Sequence, residues 1–126
     1  AWYRLGVLRQ AAAYRAAAAS PARMRWERGS LDAYAQALAL APTEGLYLVA
    51  YGNQALNLGE LELAASTFAR AHALDPLAPD PLVGLGESAL RRGDRAAALR
   101  ALAQANALAP DDPAVRRFRE ELARKS

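Results

Sequence analysis

The chain has 126 residues, of which 53% are hydrophobic and 23% charged, a composition that excludes general disorder. It has no cysteine, which excludes disulfides, thiolate metal sites and cysteine nucleophiles. Alanine and leucine dominate, no apolar run approaches the roughly 20 residues of a membrane span, and no segment alternates like a strand. The net charge is +3, and the charges are unevenly distributed: both ends of the chain are basic, and residues 31–90 are acidic. The acidic middle opposes a continuous binding track for nucleic-acid phosphates. The basic ends could steer acidic partners to the chain or be ordinary solvated surface.

Residues 1–42 are predicted to form an irregular helical hairpin that is longer than each of the regular units that follow. Its helices are expected at residues 2–19 and 22–40, because Ser20-Pro21 combines a good helix cap with a good first helical residue. Gly29-Ser30 is a point where the second helix can weaken or bend. Longer helices project beyond a regular stack, so this hairpin is predicted to carry a separate interaction surface.

That predicted hairpin surface extends from Tyr14 to Trp26 and also includes Arg15 and Arg23. Its alanines allow close approach of helices, and its arginines make the tip basic. For Trp26, burial inside the hairpin and exposure to a partner are equally open.

Two units of equal length follow, at residues 45–78 and 79–112, with 12 identities between them. The prolines that end successive units, Pro42, Pro76 and Pro110, recur at the same interval, the length of one unit. The identities are mostly small or apolar residues at helical spacing, which is what a repeated packing unit requires. The predicted helices are 45–58, 61–74, 79–92 and 95–108.

Glycines have two predicted roles in these units. Gly59 and Gly93 are expected to end helices in the left-handed conformation, and the acid after each suits the start of the next helix. Gly52 and Gly86 have no Cβ and are expected to let neighbouring helices approach closely. Phe68 is expected to fill the space between the two helices of its unit.

The last segment, residues 113–125, is predicted to be a capping helix that starts at Asp112-Pro113. Val115, Phe118 and Leu122 share one face, and charged residues occupy the rest. A helical repeat array needs a terminal helix of this kind to cover its core.

The repeat resembles the tetratricopeptide repeat family, whose pattern is Trp-x2-Leu-Gly-x2-Tyr, then Ala-x3-Phe, then Pro, in a 34-residue period. This chain has Leu48-x2-Tyr51-Gly52-x2-Ala55, then Ala64-x3-Phe68, then Pro76, and the glycine, alanine and proline positions recur one such period later. The resemblance implies an all-α fold, a solenoid of antiparallel helix pairs closed by a C-terminal capping helix. The resemblance covers residues 26–125 well and residues 1–25 partly. Because the chain is short and has no long linker, a single domain over residues 1–126 is expected.

The resemblance also implies a site, because the first helix of each pair in this family lines a concave groove that receives a peptide or helix. The groove residues implied for this chain are Val49, Asn53, Asn57, Val83, Glu87, Arg91, Tyr3 and Gln10. The two valines belong equally well to the core. Some family members hold a C-terminal carboxylate with a lysine–asparagine clamp. Asn53 matches one part of it, but Val49 and Gly84 stand where a lysine and a second asparagine are needed.

The function expected from the sequence is a protein-interaction scaffold that binds a protein or peptide in the groove. The alternative is an assembly subunit of a bacterial membrane-associated complex, which self-associates or docks through the N-terminal hairpin. Arginine supplies all but one of the 16 basic residues, which is typical of a GC-rich bacterial genome. The chain opens on Ala1 as a fragment or processed form does, so a cytoplasmic domain and one tethered by an upstream segment both remain open.

An enzyme is not expected, because no acid–base or nucleophile constellation is visible. His72 is the single histidine and has no paired carboxylates at ligand spacing, so neither a metal site nor a cofactor is expected.

Overall fold

The computed structural model describes residues 21–125 of the chain, which form α-helices joined by short turns and contain no strand. No helix in this part of the chain is both long and apolar enough to cross a membrane. The helices are α1 (Pro21–Leu40), α2 (Gly45–Asn57), α3 (Leu61–Leu74), α4 (Pro79–Arg91), α5 (Arg95–Leu108) and α6 (Pro113–Arg124).

The bounds of α2 to α5 agree with the predicted helices to within one residue. Pro42, Pro76 and Pro110 all lie in the turns between units, as their spacing predicts. α1 is 20 residues long against 13 or 14 for α2 to α5, and it continues through Gly29-Ser30 as one helix. The predicted helix over residues 2–19 lies outside the described residues.

The turns inside both repeats end their first helix in the same way, through a glycine with positive φ. Gly59 has φ of 77° and Gly93 has φ of 84°, which confirms the predicted left-handed conformation. The Gly59 amide donates to the Leu56 carbonyl and the Glu60 amide to the Ala55 carbonyl, at 3.0 and 2.9 Å. This pair of bonds satisfies carbonyls that the helix end would otherwise leave without donors.

The acids that follow these turns act in different ways. The Asp94 carboxylate accepts a hydrogen bond from the Ala97 amide at 3.0 Å and so caps α5. Glu60 makes no such side-chain cap at the start of α3, and its carboxylate instead lies 2.9 Å from the guanidinium of Arg28 on α1. This ion pair joins α1 to the regular repeats at Arg28.

A second bond ties α1 to the repeats in the same region. The buried Gln54 side chain on α2 donates from Nε2 to the Glu27 carbonyl at 2.9 Å. Tyr34 on α1, one repeat period before Phe68, is 1% exposed. The half of α1 that follows Glu27 is therefore an integral part of the stack.

Aromatic rings fill the places where glycines bring helices together. Phe68 on α3 is fully buried, and a Cβ built on Gly52 or Gly84 would stand 2.8 or 2.4 Å from its ring. Gly86 has the same relationship to Phe118 on α6, at 2.4 Å. The close approach predicted at Gly52 and Gly86 is confirmed.

α6 covers the end of the core. Val115, Phe118 and Leu122 are at most 2% exposed and pack in one apolar cluster with residues of α4 and α5. The Asp112 carboxylate accepts from the Ala114 amide at 2.9 Å and caps the helix. The predicted terminal helix is confirmed.

A candidate protein-binding groove

The first helices of successive pairs, α2, α4 and α6, lie side by side, and each packs on the next. Their free faces enclose an open groove with a volume of about 740 Å³. The residues that line it are Val49, Asn53, Asp80, Glu87, Ala114, Arg117, Glu120, Glu121 and Arg124. Most are polar, so the groove suits a ligand that brings hydrogen-bonding or charged groups.

The repeat period places like positions of the three helices in rows across the groove. Asn53, Glu87 and Glu121 follow one another at intervals of one repeat, and all three line the groove. Asp80 and Ala114 form a shorter row with the same spacing. Because each helix contributes the same face, a ligand lying across the groove would meet one residue from each helix in turn.

Three of the residues expected in the groove line it together. Asn53 is exposed, while Val49 and Glu87 are half-buried. Asn57 is exposed on the same helix as Asn53, but it is not among the residues that line the groove.

Val83 and Arg91 have other positions. Val83 is 7% exposed and packs in the core cluster with Val115 and Phe118, so it lies under the groove. Arg91 donates from Nη1 to the Leu56 carbonyl at 2.7 Å, which ties α4 to the C-terminal end of α2. Arg91 therefore has a structural role that its repeat position does not reveal.

The remaining expected residues belong to the N-terminal hairpin. Tyr3, Gln10, Tyr14 and Arg15 lie outside the described residues, as does the side chain of Arg23, whose backbone belongs to the first turn of α1.

Trp26 lies within the described part of α1 and is 45% exposed, which corresponds to the exposed alternative. Met24, in the same turn of the helix, is 64% exposed.

Sequence reasoning missed the contribution of α6 to the groove. Arg117, Glu120 and Glu121 were assigned to the polar face of a capping helix, yet they line the groove together with Arg124. The repeat period could have revealed this contribution, because Glu121 lies one period after Glu87, just as Glu87 lies one period after Asn53. α6 therefore serves both as a cap for the core and as a wall of the groove.

Glu87 has the most perturbed surroundings in the groove. Burial raises the pKa of its carboxyl above the ordinary value of 4.5, and the nearby charge of Glu121 raises it further. Arg91, Arg117 and Lys125 act in the opposite direction without reversing the shift. At neutral pH an ionised Glu87 therefore lacks full compensation for its lost hydration.

The described residues offer no metal centre, since none of their His, Asp and Glu side chains form a group of three or more that could hold an ion. His72 is half-buried on α3, and its buried Nδ1 atom has no hydrogen-bond partner among the described residues.

Antiparallel helix pairs whose first helices line an open groove define the class of helical-repeat proteins that bind other proteins. Within this class, the chain belongs to the tetratricopeptide repeat family, whose sequence profile matches residues 55–122. Members of this family are typically non-enzymatic interaction modules, so the chain is a protein-interaction scaffold in this general sense. No curated protein sequence matches the chain.

Solved structures with the same fold include three tetratricopeptide domains. The Sgt2 domain from Aspergillus fumigatus has a TM-score of 0.77 at 24% identity, covering 98% of this chain and 78% of that one. The Arabidopsis OM64 domain has a TM-score of 0.73 at 14% identity, with full coverage of both chains. The first such domain of Spaghetti (RPAP3), bound to the HSP90 peptide SRMEEVD, has a TM-score of 0.71 at 10% identity, covering 98% of this chain and 94% of that one.

Proposed function

We propose that this chain is an adaptor that binds a peptide or a helix of another protein in the groove between α2, α4 and α6. The observation that carries the proposal is the groove itself, which is open, about 740 Å³ in volume, and lined by side chains from all three helices. Asn53 is exposed on one wall and offers both a donor and an acceptor, so it can pair with the backbone of a bound segment.

The peptide complex of Spaghetti supports binding of a peptide as the general mode, because that domain shares the fold of this chain. We do not expect the same peptide to bind here. Val49 supplies no positive charge where a carboxylate clamp needs lysine. Position 84 has no room for the second asparagine of the clamp, because any side chain there would collide with the ring of Phe68.

The experiment is a selection from a random peptide library displayed on phage, with the purified chain as bait. Enriched peptides are synthesised, and their affinities are measured for the wild type and for Asn53→Ala. Loss of the amide should weaken binding by about two- to tenfold, the effect of one hydrogen bond. Gln104→Ala, which removes an exposed amide on α5 away from the groove, is the matched control.

The proposal fails if no peptide is enriched, or if every enriched peptide binds Asn53→Ala as tightly as the wild type. The peptide SRMEEVD serves as a further probe, because tight binding of it would contradict the argument from Val49 and Gly84.

A second candidate function is assembly through the N-terminal hairpin, either with another copy of the chain or on a membrane-associated complex. The exposed Met24 and Trp26 near the start of α1 favour it, because large apolar side chains that remain exposed are often covered by a partner. Arg25 is also exposed there, so the surface is both apolar and basic.

A further inference from the structure

The charges that line the groove are unequal, and this bears on the kind of ligand that it accepts. Asp80, Glu87, Glu120 and Glu121 supply four carboxylates, while Arg117 and Arg124 supply two guanidinium groups. The lining therefore has an excess of negative charge, although the chain as a whole has a net charge of +3. A ligand with positive charge would be attracted to this groove and one with negative charge repelled.

Glu87 is the carboxylate best placed to hold a positive group. It lies in the middle of the row formed with Asn53 and Glu121, on the central helix of the three. It is half-buried, and none of the described side chains, those of residues 24–125, forms an ion pair or hydrogen bond with it. A partly buried carboxylate without a close partner gains more from an added cation than an exposed one does.

Glu121 is in a different situation, although it occupies the equivalent position one repeat later. Its carboxylate lies 3.3 Å from the ammonium group of Lys125, which directly follows the last residue of α6. Glu121 thus has a direct ion pair within the chain, whereas Glu87 has only the more distant charges of Arg91, Arg117 and Lys125. The place for an external cation is therefore next to Glu87.

We propose that the groove selects a protein segment that carries a lysine or arginine, and that this basic side chain pairs with Glu87 while Asn53 holds the adjacent backbone. This inference rests on the proposed function, because it names the chemistry of the ligand that the groove would bind.

The surroundings of Glu87 are consistent with this pairing. Burial and the charge of Glu121 both raise the pKa of Glu87, and a bound cation would offset both effects.

The experiment compares two selections from the same random peptide library, one against the wild type and one against Glu87→Gln. The wild type should enrich peptides with lysine or arginine at one fixed position, and this preference should disappear with Glu87→Gln. An enriched peptide should bind Glu87→Gln about ten- to a hundredfold less tightly, the effect of one hydrogen bond to a charged group. The same peptide with alanine at the basic position should bind both proteins alike.

Glu62→Gln is the control, because Glu62 is an exposed carboxylate on α3, away from the groove, and its side chain is 87% exposed. This variant should keep the basic preference. Glutamine has nearly the shape of glutamate, and the thermal midpoint of each variant shows whether it folds.

The outcomes distinguish peptide binding in the groove from the specific role of Glu87. If peptides bind the wild type and lose affinity with Asn53→Ala, but show no basic position, the groove function stands and the role of Glu87 is overturned. Persistence of the same basic preference in Glu87→Gln would also overturn it. If no peptide binds in the groove, both proposals fail together.

Discussion

Gly84 on α4 lies directly against the ring of Phe68 on α3, so that a Cβ at position 84 would stand 2.4 Å from the Cε1 atom. The same ring lies 2.8 Å from the Cβ position of Gly52 on α2. Phe68 therefore packs between the first helices of two successive repeats. Because neighbouring repeats stabilise one another across such interfaces, this ring contributes both to its own unit and to the next.

Gly84→Ala is expected to destabilise the chain by about 1–3 kcal/mol, since a helix packed against an aromatic core cannot shift far to admit a methyl group. Gly45→Ala is the matched control. Gly45 is also at a helical position, but no atom lies within 4 Å of its Cβ position, so alanine should be neutral or slightly stabilising. Urea denaturation midpoints measure both effects.

A smaller side chain at position 68 tests whether the collision with the Phe68 ring is the reason that Gly84→Ala is destabilising. Phe68→Leu should restore part of the stability of Gly84→Ala, because the equivalent position one repeat later is Leu102. A wild-type midpoint for Gly84→Ala, or no coupling between the two substitutions, would contradict the packing argument.

The positions of the repeats could be predicted from the sequence, whereas the exact contacts between repeats could not. The regular spacing of prolines and glycines predicts helix bounds because each residue type acts locally on its own backbone. Gly84 has no such signal, since alanine and phenylalanine occupy positions 50 and 118, one period away on either side. Its glycine is required by a ring on another helix, which only the packed structure reveals.

The residues of the groove also divide into those that the sequence predicts and those that only the packed structure reveals. Asn53 and Glu87 could be placed on one face by the repeat period and the family resemblance. The role of Arg91 could not, because its bond to the Leu56 carbonyl joins residues far apart in the sequence and depends on the way α4 packs on α2. The wall formed by α6 was missed because the apolar face of that helix indicated a cap, and its polar face was read as solvated surface.

Arg91→Ala is therefore expected to lower stability by about 1 kcal/mol through loss of the bond to the Leu56 carbonyl. Arg100→Ala, which removes an exposed arginine from α5, should change it by less than about 0.5 kcal/mol. Thermal or urea unfolding of the two variants makes the comparison. Equal midpoints would show that the Arg91 bond contributes nothing measurable to stability.

Glu87 is predicted to reduce stability at neutral pH. Its pKa is raised in the folded chain, so its contribution to stability is complete below about the unfolded value of 4.5 and is lost as the pH rises through the higher folded value. The groups that face it are Glu121, which raises the pKa, and Arg91, Arg117 and Lys125, which lower it. Glu87→Gln cannot ionise, and it should therefore be more stable than the wild type at neutral pH.

The difference between Glu87→Gln and the wild type should shrink as the pH falls towards 4.5, because the wild-type carboxyl then gains its proton. Urea midpoints across this range test the prediction, with Glu62→Gln as the exposed control. A difference that is constant with pH would show that the substitution acts through packing and not through ionisation.

Trp26 offers the test of the second candidate function. The side chain is 45% exposed on α1, and Met24 in the same turn is 64% exposed, so Trp26→Ala should leave the isolated chain folded. If this surface joins two copies, light scattering should give a mass above that of a monomer for the wild type and a monomer for Trp26→Ala. Leu77→Ala removes another large apolar group, 75% exposed, from the turn between α3 and α4, and should leave the mass unchanged. A wild type that is monomeric over the whole concentration range would rule out self-association through α1. If Leu77→Ala lowers the mass as much as Trp26→Ala does, exposed apolar groups promote non-specific association wherever they lie.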